Sequence, residues 1–193
     1  MTNDQRSKTD DRGLRTEDYF FLTCTSPFSV SNVSSGPPWP VSVADTNHTL
    51  VLSHPELGLD NPAAWRASAV TNGTPGFAES LRFSGIEGED ADGDGLSALI
   101  EYALGTSDQD PNSGADAFSA ELINPGEMVL SYTRNLLADD ILFRSEYSED
   151  LIHWSPASIY STELLGGGIV REHWGIRVFD SDHLFLRLQF VHQ

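Results

Sequence analysis

Hydrophobic and polar residues alternate most clearly in the last third of the chain. The segments 128–133 and 184–191 partly alternate in polarity, a pattern typical of half-buried β-strands. Further short segments with strand-forming residues and turn signals between them complete the set: 118–123, 141–147, 158–161, 169–172 and 175–179. This succession of short strands predicts a mainly β chain with an antiparallel β-sandwich over residues 116–193.

The first 80 residues have a weaker pattern. Residues 1–36 are polar apart from the apolar stretch Tyr19-Phe-Phe-Leu22, and they predict a poorly ordered segment. Residues 37–80 predict a partial β segment, with one strand at 49–52 and an irregular loop at 54–76. Most of the regular strand pattern therefore lies C-terminal to this part.

A helix is predicted at one place, directly after a group of acidic residues. Its apolar positions follow the i, i+3, i+4, i+7 spacing of one helix face, at Leu96, Leu99, Ile100 and Ala103. Gly105 stands where a helix of this length ends. Gly85 and Gly88 would break a helix on the incoming side. The sequence thus predicts a single short helix over about 96–104, with no partner helix before it.

The acidic residues before this helix match the EF-hand calcium loop D-x-[DN]-x-[DN]-G-x5-E. Aspartates occupy positions 1, 3 and 5, a glycine occupies position 6, and a glutamate occupies position 12. Calcium takes six to eight oxygen ligands, and this spacing directs carboxylates to one centre. Position 7 supplies a main-chain carbonyl, and the alanine at position 9 implies a water. The predicted Ca²⁺ ligands are Asp90, Asp92, Asp94, Leu96 and Glu101, in a unit of loop, helix and linker over 84–112.

The acidic residues also allow other interpretations. Between Arg82 and Arg134 there are eleven acidic residues and no basic one, a composition that is also typical of a solvated linker without metal. Magnesium fits the loop less well, because its small octahedral shell usually retains several waters. Asp108 and Asp110, beyond the helix, predict an incomplete second site or a plain turn, and the sequence favours the turn.

The overall charge limits the partners of the chain. Eleven Lys and Arg residues face 29 Asp and Glu residues, a formal net charge of -18. This field repels phosphate backbones and attracts cations, so nucleic acid is not an expected partner. No apolar run is long enough to span a bilayer. Cys24 is the only cysteine, so an intrachain disulfide cannot form.

The acidic loop resembles dockerin and thrombospondin type 3 calcium repeats, which keep the loop without a first helix. The stretch 36–76, with Asp60-Asn61, Trp65 and Asn72-Gly-Thr-Pro-Gly76, resembles the closing part of bacterial lamin-tail-type domains. The remainder, with Glu101-Tyr-Ala-Leu-Gly105 and Trp154, resembles the C-terminal tail of large secreted proteins from planctomycete- and verrucomicrobium-like bacteria. The resemblance implies the end of a longer secreted or surface protein whose start has been altered or lost, since the polar first ten residues are not a secretory signal.

The chain contains no nucleophile elbow, zinc-protease motif or phosphate loop, so an enzyme is not expected. The favoured interpretation is a non-enzymatic calcium-binding C-terminal module for attachment, sorting or spacing, with a surface polysaccharide or an upstream domain as a possible partner. One alternative is a carbohydrate-binding accessory module of an extracellular hydrolase, in which Trp154 and Trp174 stack on sugars. The other is a solvated acidic linker joined to a β-domain without metal.

Overall fold

The computed structural model describes residues 3–8, 17–25, 47–61, 64–124, 127–177 and 183–193. The described residues are mainly strands in antiparallel sheets, with one α-helix, which confirms the prediction of a mainly β protein with antiparallel sheets. Within the described ranges, no helix combines the length and the apolar character needed to cross a membrane.

The described elements comprise eleven strands and one α-helix. In chain order they are β1 (Asn3–Lys8), β2 (Glu17–Thr25), β3 (Leu50–Leu52), β4 (Trp65–Ala67), α1 (Ala98–Leu104), β5 (Phe118–Asn124), β6 (Glu127–Asn135), β7 (Ile141–Ser148), β8 (Ser155–Pro156), β9 (Ser158–Gly166), β10 (Ile169–Arg177) and β11 (His183–His192). A 3-10 turn covers Pro55–Leu57. The helix lies where its apolar spacing predicts it, and it starts two residues later than expected.

Two larger sheets carry most of the strands. The five-stranded sheet has the order β1-β2-β11-β7-β8, and the four-stranded sheet has the order β5-β6-β10-β9. All neighbouring strands in both sheets are antiparallel. The predicted segment 169–172 and the described part of the predicted segment 175–179, residues 175–177, lie in one strand, β10, because Gly175 pairs with Val129 and Ser158 on its two sides. Pairing on both sides here outweighs the low strand preference of glycine.

The N-terminal strands differ from the prediction of poor order over residues 1–36. Strand β2 pairs along its whole length with β11, from Glu17 opposite Val191 to Thr25 opposite His183, and β1 pairs with β2. The backbone partners of β2 come from the far end of the chain, and local polarity carries no signal of such distant pairing. The rest of that segment lies outside the described residues.

One hydrophobic core joins the two larger sheets. The rings of Tyr132 on β6 and Phe143 on β7 stack at a centroid distance of 5.9 Å, and Phe143 meets Phe190 on β11 edge-on at 5.2 Å. Tyr132 and Phe190 are fully buried, and fully burying such a side chain stabilises the fold by about 1.5–3 kcal/mol. The sheets face each other across these rings, which is consistent with the predicted β-sandwich.

Helix α1 is packed into the same core. Leu99, Ile100, Ala103 and Leu104 are all 0% exposed and belong to the cluster that contains Tyr132 and Phe190. The helix ends at Gly105, which has a left-handed φ of 77° that favours glycine. The predicted units 84–112 and 116–193 are therefore joined by shared packing.

Strands β3 and β4 form a small sheet of their own, so the predicted irregular loop 54–76 contains a strand. A buried arginine ties this sheet to the turn between β6 and β7. Arg66 is 2% exposed and donates from Nε to Asp139 Oδ1 at 2.5 Å and from Nη2 to Asp139 Oδ2 at 2.9 Å. Removing one partner of such a buried pair typically costs about 3–5 kcal/mol.

Candidate metal centre

The three predicted aspartate ligands come together directly before α1. One carboxylate oxygen from each of Asp90, Asp92 and Asp94 lies within 4.8 Å of the other two. Asp90 is exposed, whereas Asp92 and Asp94 are half-buried. These three residues are the only group of three or more suited to metal binding among the residues that the structure describes.

The loop folds around its own carboxylates. Asp90 accepts hydrogen bonds from the main-chain N–H of Gly93 at 2.7 Å and of Gly95 at 3.1 Å. Asp94 accepts one from the N–H of Leu96 at 2.7 Å. Gly95 has a φ of 94°, a conformation that a residue with a Cβ rarely adopts. The glycine at position 6 of the motif is thus needed for the turn that draws the aspartates together.

The residues before the loop close onto the start of the helix. The main-chain N–H of Ala98 donates to the carbonyl of Glu89 at 2.7 Å, and that of Leu99 donates to the carbonyl of Glu87 at 3.3 Å. The first N–H groups of a helix have no partner inside the helix. Here the incoming backbone supplies these partners, and it thereby fixes the loop to the helix.

Glu101, the predicted last ligand, lies inside the protein on α1. It is 1% exposed, and its Oε1 accepts a hydrogen bond from the Thr106 hydroxyl at 3.2 Å. Its Oε2 is buried without a hydrogen-bond partner, and so is Oδ2 of Asp92. Leaving a polar atom buried and unpaired costs about 1–3 kcal/mol, so these two oxygens lack something that a ligand would supply.

The electrostatics link Glu101 to the aspartates. Burial raises the pKa of the Glu101 carboxyl to about 7; the Thr106 hydrogen bond opposes this shift, and the negative charges of Asp92, Asp94 and Asp108 add to it. Glu101 is not a member of the close group of three oxygens, but it is within electrostatic reach of that group. A cation between them would remove both the repulsion and the cost of the unpaired oxygens.

The donor set fits a hard divalent cation. Carboxylate oxygens are the ligands that calcium prefers, and Glu101 can supply two of them. Leu96, the predicted carbonyl donor, lies two residues after Asp94, beyond Gly95, and it is 8% exposed and belongs to the core. The residues present therefore suit calcium, while the described residues contain neither a cluster of nitrogen ligands nor one of sulfur ligands.

Side chains from other elements anchor the incoming side of the loop. His192 at the end of β11 contacts Glu87 through Nδ1 and Oε1 at 2.6 Å. Asp140 accepts hydrogen bonds from the main-chain N–H of Phe83 at 2.7 Å and from the hydroxyl of Tyr102 on α1 at 2.8 Å. Sequence reasoning missed these contacts and Thr106, because they join residues whose proximity is decided by the tertiary fold.

The second acidic segment forms a turn. Asp110 accepts a hydrogen bond from the main-chain N–H of Asn112 at 3.1 Å, and Asp108 accepts one from the side chain of Gln109 at 3.2 Å. These local bonds agree with the favoured prediction of a plain turn.

The two tryptophans of the carbohydrate-binding alternative are both engaged within the protein. Trp174 stacks on Tyr132 at a centroid distance of 6.1 Å and packs against the core. The guanidinium of Arg187 lies over the ring of Trp154 at 4.1 Å. One face of each ring is thus already covered, which does not favour a shared sugar platform.

No family model, curated protein or solved structure matches this chain.

Proposed function

We propose that this chain is a non-enzymatic calcium-binding module of a secreted or cell-surface protein. The observation that carries the proposal is the pair of buried, unpartnered oxygens, Glu101 Oε2 and Asp92 Oδ2. They belong to two of the predicted ligands, and three carboxylates converge at the loop. A solvated linker would leave its carboxylates in water, where none of them would be buried without a partner.

The proposed ligands are the carboxylates of Asp90, Asp92, Asp94 and Glu101, with the main-chain carbonyl of Leu96. Bound calcium would supply positive charge to oxygens that otherwise repel one another. Because the ion binds the folded loop, it stabilises that fold by mass action. The chain itself orients the aspartates through the main-chain N–H groups of the loop, and it holds Glu101 on a buried helix.

The proposed role is structural. In sequence, the loop lies between the small β3–β4 sheet and strands β5 to β11 of the larger sheets, so calcium would stiffen the connection between them. The net charge of -18 draws cations toward the chain. The resemblance to dockerin and thrombospondin type 3 loops, and to the tails of large secreted bacterial proteins, supports a role in attachment, sorting or spacing. An upstream domain or a surface polysaccharide is the partner that this role implies.

The test is calorimetric titration of chelator-treated chain with calcium chloride. The unsubstituted chain should bind about one ion, and Glu101→Gln should weaken binding by more than about tenfold, a loss of more than about 1.4 kcal/mol. Glu121→Gln is the matched control, because Glu121 is exposed on β5 and should not affect binding. Equal heats in all three proteins would favour the acidic linker without metal.

A further inference from the structure

The turn 107–114 lies directly against the metal centre. At Gly114, an added Cβ would come within 2.6 Å of Leu96 Cδ1 and 3.0 Å of Asp94 Oδ2. Asp94 is one of the proposed calcium ligands, and Leu96 is the next ligand along the loop. The second acidic segment therefore forms a wall of the site, and the wall touches the site at a residue without a side chain.

This wall is held in place on both sides of Gly114. Ser113 donates from its hydroxyl to the carbonyl of Ser107 at 3.1 Å and accepts from the main-chain N–H of Ser107 at 2.9 Å. On the other side, the N–H of Ala117 donates to the carbonyl of Gly114 at 3.0 Å, and Ala117 is 2% exposed in the core. The backbone at residue 114 cannot retreat easily from Asp94.

The backbone conformation does not explain the glycine. The φ of Gly114 lies outside the left-handed region, unlike that of Gly93 or Gly95. An L-residue could adopt this conformation without strain. What residue 114 lacks is space, and the atoms that limit the space belong to Asp94 and Leu96.

A side chain at residue 114 would have different effects on the metal-free and the metal-bound loop. Without metal, the Asp94 carboxylate can turn away at little cost because it is the end of a flexible side chain, whereas Leu96 is buried in the core and has to repack. With metal, the Asp94 carboxylate has to keep its position toward the ion while its Oδ1 accepts from the Leu96 N–H at 2.7 Å. A side chain at residue 114 would then compete with the ligand for the same volume.

We propose that Gly114 is a positioning residue of the calcium site: it keeps free the volume in which Asp94 binds the ion. This inference rests on the proposed calcium-binding function. It assigns to the second acidic segment a role in the first site that does not require any of its carboxylates to bind metal.

The test compares two glycine-to-alanine variants of the full chain by titration with calcium chloride after chelator treatment. Gly114→Ala should weaken calcium binding by about tenfold, the lower end of the losses seen when the surroundings of a metal ligand are changed. Gly88→Ala is the matched control, because its φ is also outside the left-handed region and its Cβ would meet no atom within 4 Å. It should bind calcium as the unsubstituted chain does, and both variants should melt cooperatively in EDTA.

A double-mutant cycle shows whether the effect passes through Asp94. In an Asp94→Ala background, which removes the carboxylate, Gly114→Ala should weaken calcium binding clearly less than tenfold, since the side chain that it would displace is absent. Full additivity would overturn the proposal, as would unchanged affinity of Gly114→Ala. Loss of cooperative melting of Gly114→Ala in EDTA would also overturn it, because the glycine would then serve the fold. Failure of the proposed function has a different signature: the unsubstituted chain would take up no calcium at all.

Discussion

Two acidic turns flank helix α1: the first turn, residues 90–95, precedes the helix, and the second turn, residues 107–114, follows it. The carboxylates of the two turns have different hydrogen-bond partners. In the first turn, Asp92 Oδ2 is buried without a hydrogen-bond partner, and so is Oε2 of Glu101 on the following helix. In the second turn, Asp108 and Asp110 accept hydrogen bonds from neighbouring residues. Acidic residues at similar spacing thus form one turn with a buried, unpaired carboxylate oxygen and one turn whose aspartates accept hydrogen bonds from their sequence neighbours.

The difference arises at the twelfth position of each turn. Counted from Asp90, this position is Glu101, which a buried helix holds at 1% exposure. Counted from Asp108, it is Ser119, an exposed residue on β5. An acidic turn therefore becomes a candidate metal centre when a core element holds a further carboxylate beside it.

The largest expected difference between the two regions concerns stability. Leu99 is 0% exposed in the core, so Leu99→Ala should lower the free energy of unfolding by about 2–5 kcal/mol. Gln109→Ala, at an exposed site in the second turn, should change it by less than about 0.5 kcal/mol. Urea unfolding in the presence of EDTA measures both. Similar values for the two variants would mean that α1 does not contribute to the core as its burial indicates.

The metal-free stability should depend on pH through Glu101. Burial raises the pKa of Glu101 in the folded chain to about 7, above the ordinary value for a glutamate. The contribution of Glu101 to the free energy of unfolding is therefore fully present at low pH and is lost as the pH rises through 7. Glu101→Gln removes this titration. In EDTA, the variant should gain stability relative to the unsubstituted chain between pH 5 and pH 8, by up to about 3 kcal/mol.

Urea unfolding at several pH values measures this difference, and Glu121→Gln is the control. With saturating calcium the sign should reverse, because calcium competes with the proton for Glu101 and the unsubstituted chain gains more stability from the ion than the variant does. A difference between the Glu101 variant and the unsubstituted chain that stays constant with pH in EDTA would show that Glu101 remains ionised in the folded chain.

Variants of the two turns should also differ, by a smaller amount, in how much calcium raises their Tm. At a calcium concentration 100 times Kd, binding stabilises the folded chain by about 2.7 kcal/mol, which corresponds to a rise in Tm of about 5–10 °C for a chain of this size. Asp110→Ala should retain this rise, and Asp92→Ala, which removes the carboxylate ligand, should lose most of it. Thermal melts with and without EDTA measure the shift. An equal loss in both variants would indicate that the second turn also binds the ion.

The sequence alone predicts the elements whose signals are local. Most strands after residue 118 follow from short segments of strand-forming residues between turn signals, two of which partly alternate in polarity. The helix follows from the spacing of Leu96, Leu99, Ile100 and Ala103. The convergence of Asp90, Asp92 and Asp94 follows from alternate positions and a glycine that permits the turn. Each of these features depends on residues within about twelve positions of one another, where the geometry of the backbone limits the possibilities.

The tertiary structure decided what depends on distant residues. Strand β2 is part of the five-stranded sheet because β11 supplies its backbone partners, and no local pattern contains that information. The burial of Glu101 and the approach of Gly114 to Asp94 likewise require packing between segments. Spacing could bring the aspartates together, but only the packed core could remove Glu101 from water, and that burial is what makes its unpaired oxygen costly.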